Sequence, residues 1–353
     1  MNDQCEKVNF KNIYEILKKV RSYSYVLLGE STHGTDEYFA LRLAITIFLI
    51  KDFGYNTILF ETDWSLGYQL NLYIHSKVNK NIKTFFNEVF QDYPKWMGNN
   101  EYMMNLILFM KRWNETHSKK VFFYGIDCQD IELAEQNLCH DKTLNCSIVQ
   151  DIIKNYAHMK KSTNYWNVRD KFWHHVIQKI KRHKQSKFVL WAHNSHIGNV
   201  KANIHQPNKV NIGHLLDNSR KSFKIGFSTY QGTVKASKGR SKPGRKYALN
   251  KAHKDSFEYL FHELSKSMKV NCFLYHCDPS LSIHKLFRYV GVVYDSKNEM
   301  TAHYQMTNIN REFNIVIFID TTTYLKQSTE KNIKTKTLEQ YYTMSKRIIN
   351  RDS

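Results

Sequence analysis

Residues 24–37 read SYVLLGESTHGTDE. An apolar run, Tyr25 to Leu28, ends in Gly29-Glu30, and a short polar turn carrying His33 follows. Thr35 has the side chain of a helix N-cap, and Asp36 and Glu37 suit the positive end of a helix dipole. Beyond them Tyr38, Leu41, Ile45, Phe48 and Leu49 recur at helical spacing, so residues 35–51 read as a helix with one apolar stripe. A continuous apolar strand leading through a turn into a helix is the repeating unit of a parallel sheet covered on both faces.

The same unit recurs outward from this stretch. Asn56 to Glu61 (NTILFE) reads as a strand and is followed by a helix over 64–75. Residues 102–113 read as a helix, Lys120 to Asp127 (KVFFYGID) as a strand, and 129–182 as mostly helical. Lys187 to Ala192 (KFVLWA) and Phe223 to Ser228 (FKIGFS) read as further strands, as do 269–275, 289–294 and 314–319, with an amphipathic helix over 256–266. The expected fold class is therefore α/β, a mainly parallel β-sheet flanked by helices on both faces. One catalytic domain over 1–353 is expected, with helical insertions near 76–118 and 129–185.

Composition narrows the function classes. With 353 residues, 42% hydrophobic and 24% charged, the chain can bury a large core, which excludes a mainly disordered or collagen-like protein. The longest clear apolar run, Ala44 to Ile50, is far short of the roughly 18 residues a bilayer crossing needs. The first residues, MNDQCEK, lack the apolar segment of a secretory signal, so a soluble cytoplasmic protein is expected. None of the six cysteines forms C-x-x-C, and the Cys139/Cys146 and Cys272/Cys277 spacings do not fit a zinc site, so reduced structural thiols are expected.

The net charge is +20, from 52 Lys and Arg against 32 Asp and Glu. Such an excess favours anionic partners, although a chain rich in Lys, Asn, Ile and Tyr acquires it by compositional drift as well. The basic stretch 235–254 holds eight Lys or Arg in twenty residues and shows no period. It reads as a surface loop, either simply solvated or a flap over a site that accepts anionic groups.

In an open parallel sheet the carboxyl ends of the strands share one edge, where ligands bind. Glu30, His33, Glu61, Asp127, His193 and His196 all follow strands, so they are expected to converge there. Arg42, flanked by Leu41 and Leu43 on the first long helix, cannot shed its charge and needs a carboxylate partner, Glu30 or Glu61. No P-loop, dinucleotide fingerprint or Gly-x-Ser-x-Gly elbow is present. What remains is imidazole and carboxylate chemistry. A His oriented by a carboxylate can deprotonate water for attack on an ester, with a second His or the Arg stabilising the oxyanion. Two alternatives stand beside this reading. Glu30-x-x-His33 and His193-x-x-His196 with Glu61 resemble sets that hold a divalent metal, although an Arg in the cluster disfavours a cation. The charge alone would suit a polyanion or nucleic-acid binder, but no nucleic-acid motif accompanies it.

An ordered series of motifs resembles the erythromycin esterase family. It comprises LGESTHG at 28–34, ETDW at 61–64, Trp96-Met97, FYGID at 123–127 and WAHNSHIG at 191–198. NIG at 211–213, GFSTYQG at 226–232, SFE at 256–258, GVVY at 291–294, His303-Tyr304 and IDT at 319–321 follow in the family's order. The resemblance implies hydrolysis of an ester or lactone, as in opening of the macrolide ring in antibiotic resistance. It implies His33 as the base that activates water, Glu30 and Glu61 as the groups that orient it, and Arg42, His193 and His196 completing the site. The matched Asp63, Trp64, Asp127, Asn194, Tyr230 and His303 would line the substrate. The family's first motif tolerates Ala at the position of Ser31, which argues against a serine nucleophile. The expected partner is a small-molecule ester or lactone, with no cofactor, membrane or nucleic acid.

Overall fold

The computed structural model describes residues 4–91, 95–136, 143–183, 186–203, 205–217, 221–239 and 243–326. Among these, eleven strands form: β1 (Cys5–Lys7), β2 (Tyr25–Leu28), β3 (Thr57–Asp63), β4 (Phe122–Asp127), β5 (Phe188–Trp191), β6 (Ser222–Ala236), β7 (Arg245–Leu249), β8 (Cys272–His276), β9 (Lys285–Arg288), β10 (Tyr304–Thr307) and β11 (Ile315–Thr322). The helices are α1 (Phe10–Lys19), α2 (Asp36–Phe53), α3 (Trp64–Ile74), α4 (Ile82–Val89), α5 (Lys95–Gly98), α6 (Glu101–Thr116) and α7 (Ile131–Gln136). They continue with α8 (Leu144–Lys161), α9 (Tyr165–His183), α10 (Asn194–Ile197), α11 (Ile212–Asp217), α12 (Phe257–Met268), α13 (Glu299–His303) and α14 (Ile309–Glu312).

The main sheet runs β1-β8-β11-β6-β2-β5-β3-β4. Its six strands from β11 to β4 are parallel, and the antiparallel β8 and β1 extend the far edge. The fold is α/β, as the strand pattern predicted. Successive side chains of each strand serve opposite faces. Val26 and Leu28 join one core cluster with Ile58, Phe60, Val189 and Trp191, under α1, α2, α4 and α6. Tyr25 and Leu27 join the other with Leu59, Tyr124, Phe188 and Leu190, under α8, α9 and α12. Both faces of β2 are thus buried, which is why it reads as an unbroken apolar run. Among the described residues no helix is long and apolar enough to cross a membrane.

Four expectations change. Helix α2 has no single apolar stripe: it is buried on all sides from Glu37 to Ile50, because α1 and α6 cover the faces that the sheet does not. The run 289–294 is not a strand. It contributes isolated bridges, Thr32 to Val290 and Ser237 to Val293, while the pairing strands β9 and β10 flank it. The basic stretch 235–254 is not a plain loop either. β6 runs on to Ala236 and pairs antiparallel with β7, so the stretch forms an arm of paired strands; residues 240–242 at its tip lie outside the described residues. Cys5, Cys128, Cys272 and Cys277 are free thiols, but Cys146 is disulfide-bonded, against the expectation of six reduced thiols; Cys139 lies outside the described residues.

Candidate active site

The adjacent strands β2, β5, β3 and β4 deliver their carboxyl ends to one edge. The turn after β2 is pinned from several directions. The Asn194 N–H bonds to the Glu30 carbonyl at 2.8 Å, and the Val290 N–H to the Ser31 carbonyl at 2.7 Å. The Gly34 carbonyl accepts from Lys235 N at 2.9 Å and Leu325 N at 2.8 Å. Gly34 permits this approach, since a Cβ there would lie 1.9 Å from the Lys235 carbonyl oxygen.

The turn carries the first unit of the site. Oε2 of Glu30 accepts from Arg42 Nη2 at 2.6 Å, and Oε1 accepts from His33 Nδ1 at 2.8 Å. Arg42 is 0% exposed and Glu30 2% exposed, so this is a fully desolvated ion pair. The guanidinium carbon lies 4.4 Å from the Phe39 ring and 4.8 Å from the Trp191 ring, so π faces meet the cation where Glu30 does not. Burial lowers the pKa of Arg42, and Glu30 opposes this; a guanidinium starts high enough to remain charged. A carboxylate only accepts, so His33 carries its proton on Nδ1 and leaves the Nε2 lone pair free. Burial works to lower the His33 pKa, but the Glu30 hydrogen bond and the charges of Glu61 and Glu30 outweigh it, and the pKa is raised.

His193 packs against His33, with ring centroids 4.8 Å apart. It caps α10, with Nδ1 accepting from the Ser195 N–H, while Nε2 faces the Ser31 carbonyl at 3.3 Å. Burial, with the charge of His33 adding to it, holds its pKa well below the ordinary value, so His193 is neutral. Glu61, on β3, accepts the His193 N–H at 2.8 Å. Burial would raise the Glu61 pKa, yet His196, His33, Arg169 and the His193 N–H together hold it at about 2.

A second imidazole–carboxylate unit faces the first. His196 Nδ1 lies 2.9 Å from Asp170 Oδ2, and His196 Nε2 lies 3.5 Å from Glu61 Oε1. Its ring is stacked on Trp166 at 4.2 Å and packs against Trp173 at 4.4 Å. Arg169 Nη2 bonds Asp127 Oδ2 at 2.5 Å and reaches Glu61 Oε1 at 3.5 Å. Asp127 also accepts from Trp173 Nε1 at 3.0 Å and Gln129 Nε2 at 2.6 Å. Beside it, burial and the charge of Asp127 push the Asp63 carboxyl well above its ordinary range.

Glu30, His33, Glu61, His193, His196 and Asp127 therefore meet at the strand ends, and Arg42 pairs with Glu30. Arg42 is fully buried, and its guanidinium pairs with Glu30 rather than facing the open edge of the sheet. Five other residues expected to line the substrate have partners within the protein. Trp64 is in the core, stacked on Tyr124 at 5.2 Å, with Nε1 bonded to Asn145. The Asn194 side chain ties α10 to β6 through the Phe227 carbonyl at 2.7 Å. Tyr230 stacks on His262 at 3.8 Å. His303 Nε2 accepts the Asp295 N–H, holding a loop. Asp63 accepts the backbone N–H groups of Gln129 and Asp130. Among the described residues no group of three or more His, Cys, Asp or Glu is arranged to hold a metal ion.

Sequence reasoning passed over Trp166, Arg169, Asp170 and Trp173. They occupy positions i, i+3, i+4 and i+7 of α9, one face of a helix, and that spacing was the available signal.

A crystal structure titled as a succinoglycan biosynthesis protein superposes with TM-score 0.73 at 17% identity, over 93% of this chain and 97% of that one. A Bacillus cereus protein matches with TM-score 0.73 at 16% identity, over the same shares. A point mutant of erythromycin esterase EreC in its open conformation matches with TM-score 0.62 at 14% identity, over 92% of this chain and 96% of that one. These likenesses establish the fold. Erythromycin esterase type II of Escherichia coli is 28% identical over 124 residues, 34% of this chain but only 27% of that relative's length. The erythromycin esterase family model matches residues 50–138 and 132–322, most of the sheet and all of the strand-end cluster beyond the first turn, and the chain belongs to that family.

Proposed function

We propose that this protein is a hydrolase that cleaves an ester or lactone bond with water activated by His33. The observation that carries the reading is the Glu30 carboxylate, which bridges Arg42 and His33 Nδ1 in a desolvated pocket. This bridge fixes the tautomer and leaves Nε2 as the base. A water proton moves to Nε2 as the oxygen attacks the carbonyl carbon, and Glu30 stabilises the imidazolium that forms. The tetrahedral intermediate then collapses, the bond to the alcohol oxygen breaks, and the imidazolium gives its proton to that leaving oxygen, so that acid and alcohol depart and His33 is neutral again. Arg169, across the cluster, supplies positive potential where charge develops on the carbonyl oxygen. His193, neutral and capping α10, holds the His33 ring in place. Ser31 is no nucleophile in this scheme: its Oγ is bonded to the Tyr38 hydroxyl at 2.9 Å and is buried. Macrolide lactones are the first substrates to test, because erythromycin esterases are among the relatives.

The test is hydrolysis of erythromycin and simple aryl esters by the wild type and by His33→Ala, each with and without a chelator. Turnover that His33→Ala loses and the chelator leaves unchanged is expected. Undiminished turnover by a folded His33→Ala protein would sink the assignment.

A further inference from the structure

Lys235 sits beside the turn that carries His33, its backbone N–H bonded to the Gly34 carbonyl at 2.9 Å. The residue as a whole is 9% exposed, and its side chain extends toward Trp96, the ammonium lying 6.0 Å from the indole centroid. Among the described residues no carboxylate, carbonyl or hydroxyl pairs with it. Burial lowers its pKa, and no neighbouring charge opposes that. Other buried cations are treated differently: Arg42 has Glu30, Arg169 has Asp127, Arg288 has Glu299, and Lys224 has Asp217.

Two further observations fall at the same place. Trp96 Nε1 is buried and has no acceptor among the described residues, with Gly244 packed so close that a Cβ there would lie 2.5 Å from it. Lys246 stands directly opposite Lys235 in the β6–β7 pair, so two ammonium groups share one face of the arm. Like charges in that position repel, and a buried indole N–H without a partner is costly. Among the described residues Lys235 Nζ and Trp96 Nε1 have no acceptor, and Lys246, whose ammonium lies 5.1 Å from the Tyr324 ring centroid, adds a second positive charge across the strand pair. Donors gathered without an acceptor, beside the turn that carries His33, describe a place for an anion.

We propose that Lys235, Trp96 Nε1 and Lys246 form a carboxylate-binding subsite, so that the ester this protein hydrolyses carries a negative charge near the scissile bond. One carboxylate oxygen would meet the Lys235 ammonium and the other the indole N–H, a charge-assisted arrangement. The basic arm thus selects an anionic substrate over a cationic one such as an amino-sugar macrolide. This rests on the hydrolase reading, and the experiment separates the two.

Three esters are compared: neutral phenyl acetate, 4-nitrophenyl hydrogen glutarate with charge on the acyl side, and 4-acetoxybenzoate with charge on the alcohol side. Wild type, Lys235→Met and Lys235→Gln are assayed, with Lys18→Met as a control that removes an exposed charge of α1. Glutarate binding is measured by calorimetry on the same proteins. Lys235→Met is expected to lower kcat/KM for one of the charged esters, relative to phenyl acetate, by roughly 10- to 100-fold, mainly through KM. Which ester responds tells whether the charge belongs to the acyl or the alcohol portion. Glutarate should bind the wild type and Lys18→Met and not the Lys235 variants. If the wild type hydrolyses none of the esters but binds glutarate through Lys235, the subsite stands and the hydrolase reading falls. If esters are cleaved without charge preference and glutarate fails to bind, or binds Lys235→Met equally, the subsite is refuted and the hydrolase reading survives. Lys235→Met should melt no lower than the wild type, since a methionine has no charge to desolvate. A lower melting point would mean that the lysine has a structural role and would count against the proposal.

Discussion

Replacing Glu30 by Gln tests stability and chemistry separately. The carboxylate accepts from Arg42 at 2.6 Å on one oxygen and from His33 at 2.8 Å on the other. An amide accepts on only one. If its oxygen faces Arg42, its NH2 meets His33 Nδ1, which must then give up its proton and place it on Nε2. If its oxygen faces His33, NH2 confronts the guanidinium. Either way Arg42, which is 0% exposed, loses its countercharge. Breaking a buried pair at one partner costs about 3–5 kcal/mol. For a protein of 353 residues that corresponds to a melting point lower by about 4–7 °C. The kinetic loss comes from the misplaced proton, and a base held in the wrong tautomer loses about 10⁴-fold in the best-studied case, a protease Asp–His pair. The assay is thermal unfolding by circular dichroism alongside kcat/KM on whichever test ester the wild type hydrolyses. The double variant Glu30→Gln/Arg42→Met removes both charges and frees the amide oxygen to accept from His33 Nδ1, so it should regain most of the lost stability and part of the lost activity. A Glu30→Gln protein that melts within a degree of the wild type would refute the ion-pair argument. One that turns over within threefold of the wild type would refute the orientation argument.

Three further outcomes follow from the geometry. The His33 pKa is raised above 6.5, and a base works only unprotonated, so kcat/KM should fall as pH drops through a midpoint above 6.5. The stability linkage has the opposite sign: the raised pKa stabilises the fold below pH 6.5, and that contribution is lost as pH rises through the folded value, which a pH series of melts detects. Gly67 of α3 lies against β4, and a Cβ there would sit 1.8 Å from the Gly125 nitrogen, so Gly67→Ala should destabilise by about 1–3 kcal/mol or more, read by urea unfolding.

The parallel strands were legible because burial on both faces leaves an unbroken apolar run, as in Tyr25 to Leu28. The Glu30–Arg42 pair was legible for a related reason: a guanidinium among leucines must have a carboxylate. The same logic misled at 289–294, where an apolar run packs under the β6–β7 arm with Val234, Ala236 and Leu249 instead of pairing in the sheet. Apolarity reports burial and not the pattern of hydrogen bonds. β7 was missed because its sequence, RKYAL, is mostly exposed and basic, and only its pairing to β6 makes it a strand. Trp64 and Asn194 stand within the motifs that carry the site but serve it from behind, one in the core and one as a clamp. Proximity in sequence to His33, Glu61 or His193 could not separate those roles.

Helix α2 has consequences for how the protein loses activity. A helix enclosed on every side has no loosely held face from which to fray, so its amide protons should exchange only when the whole fold opens. Arg42 belongs to that helix, and through Glu30 it fixes the angle of the His33 ring. The imidazole is thereby anchored to one of the last parts of the molecule to yield. Heat inactivation and global melting should then trace the same curve, with no temperature interval in which a folded protein is silent.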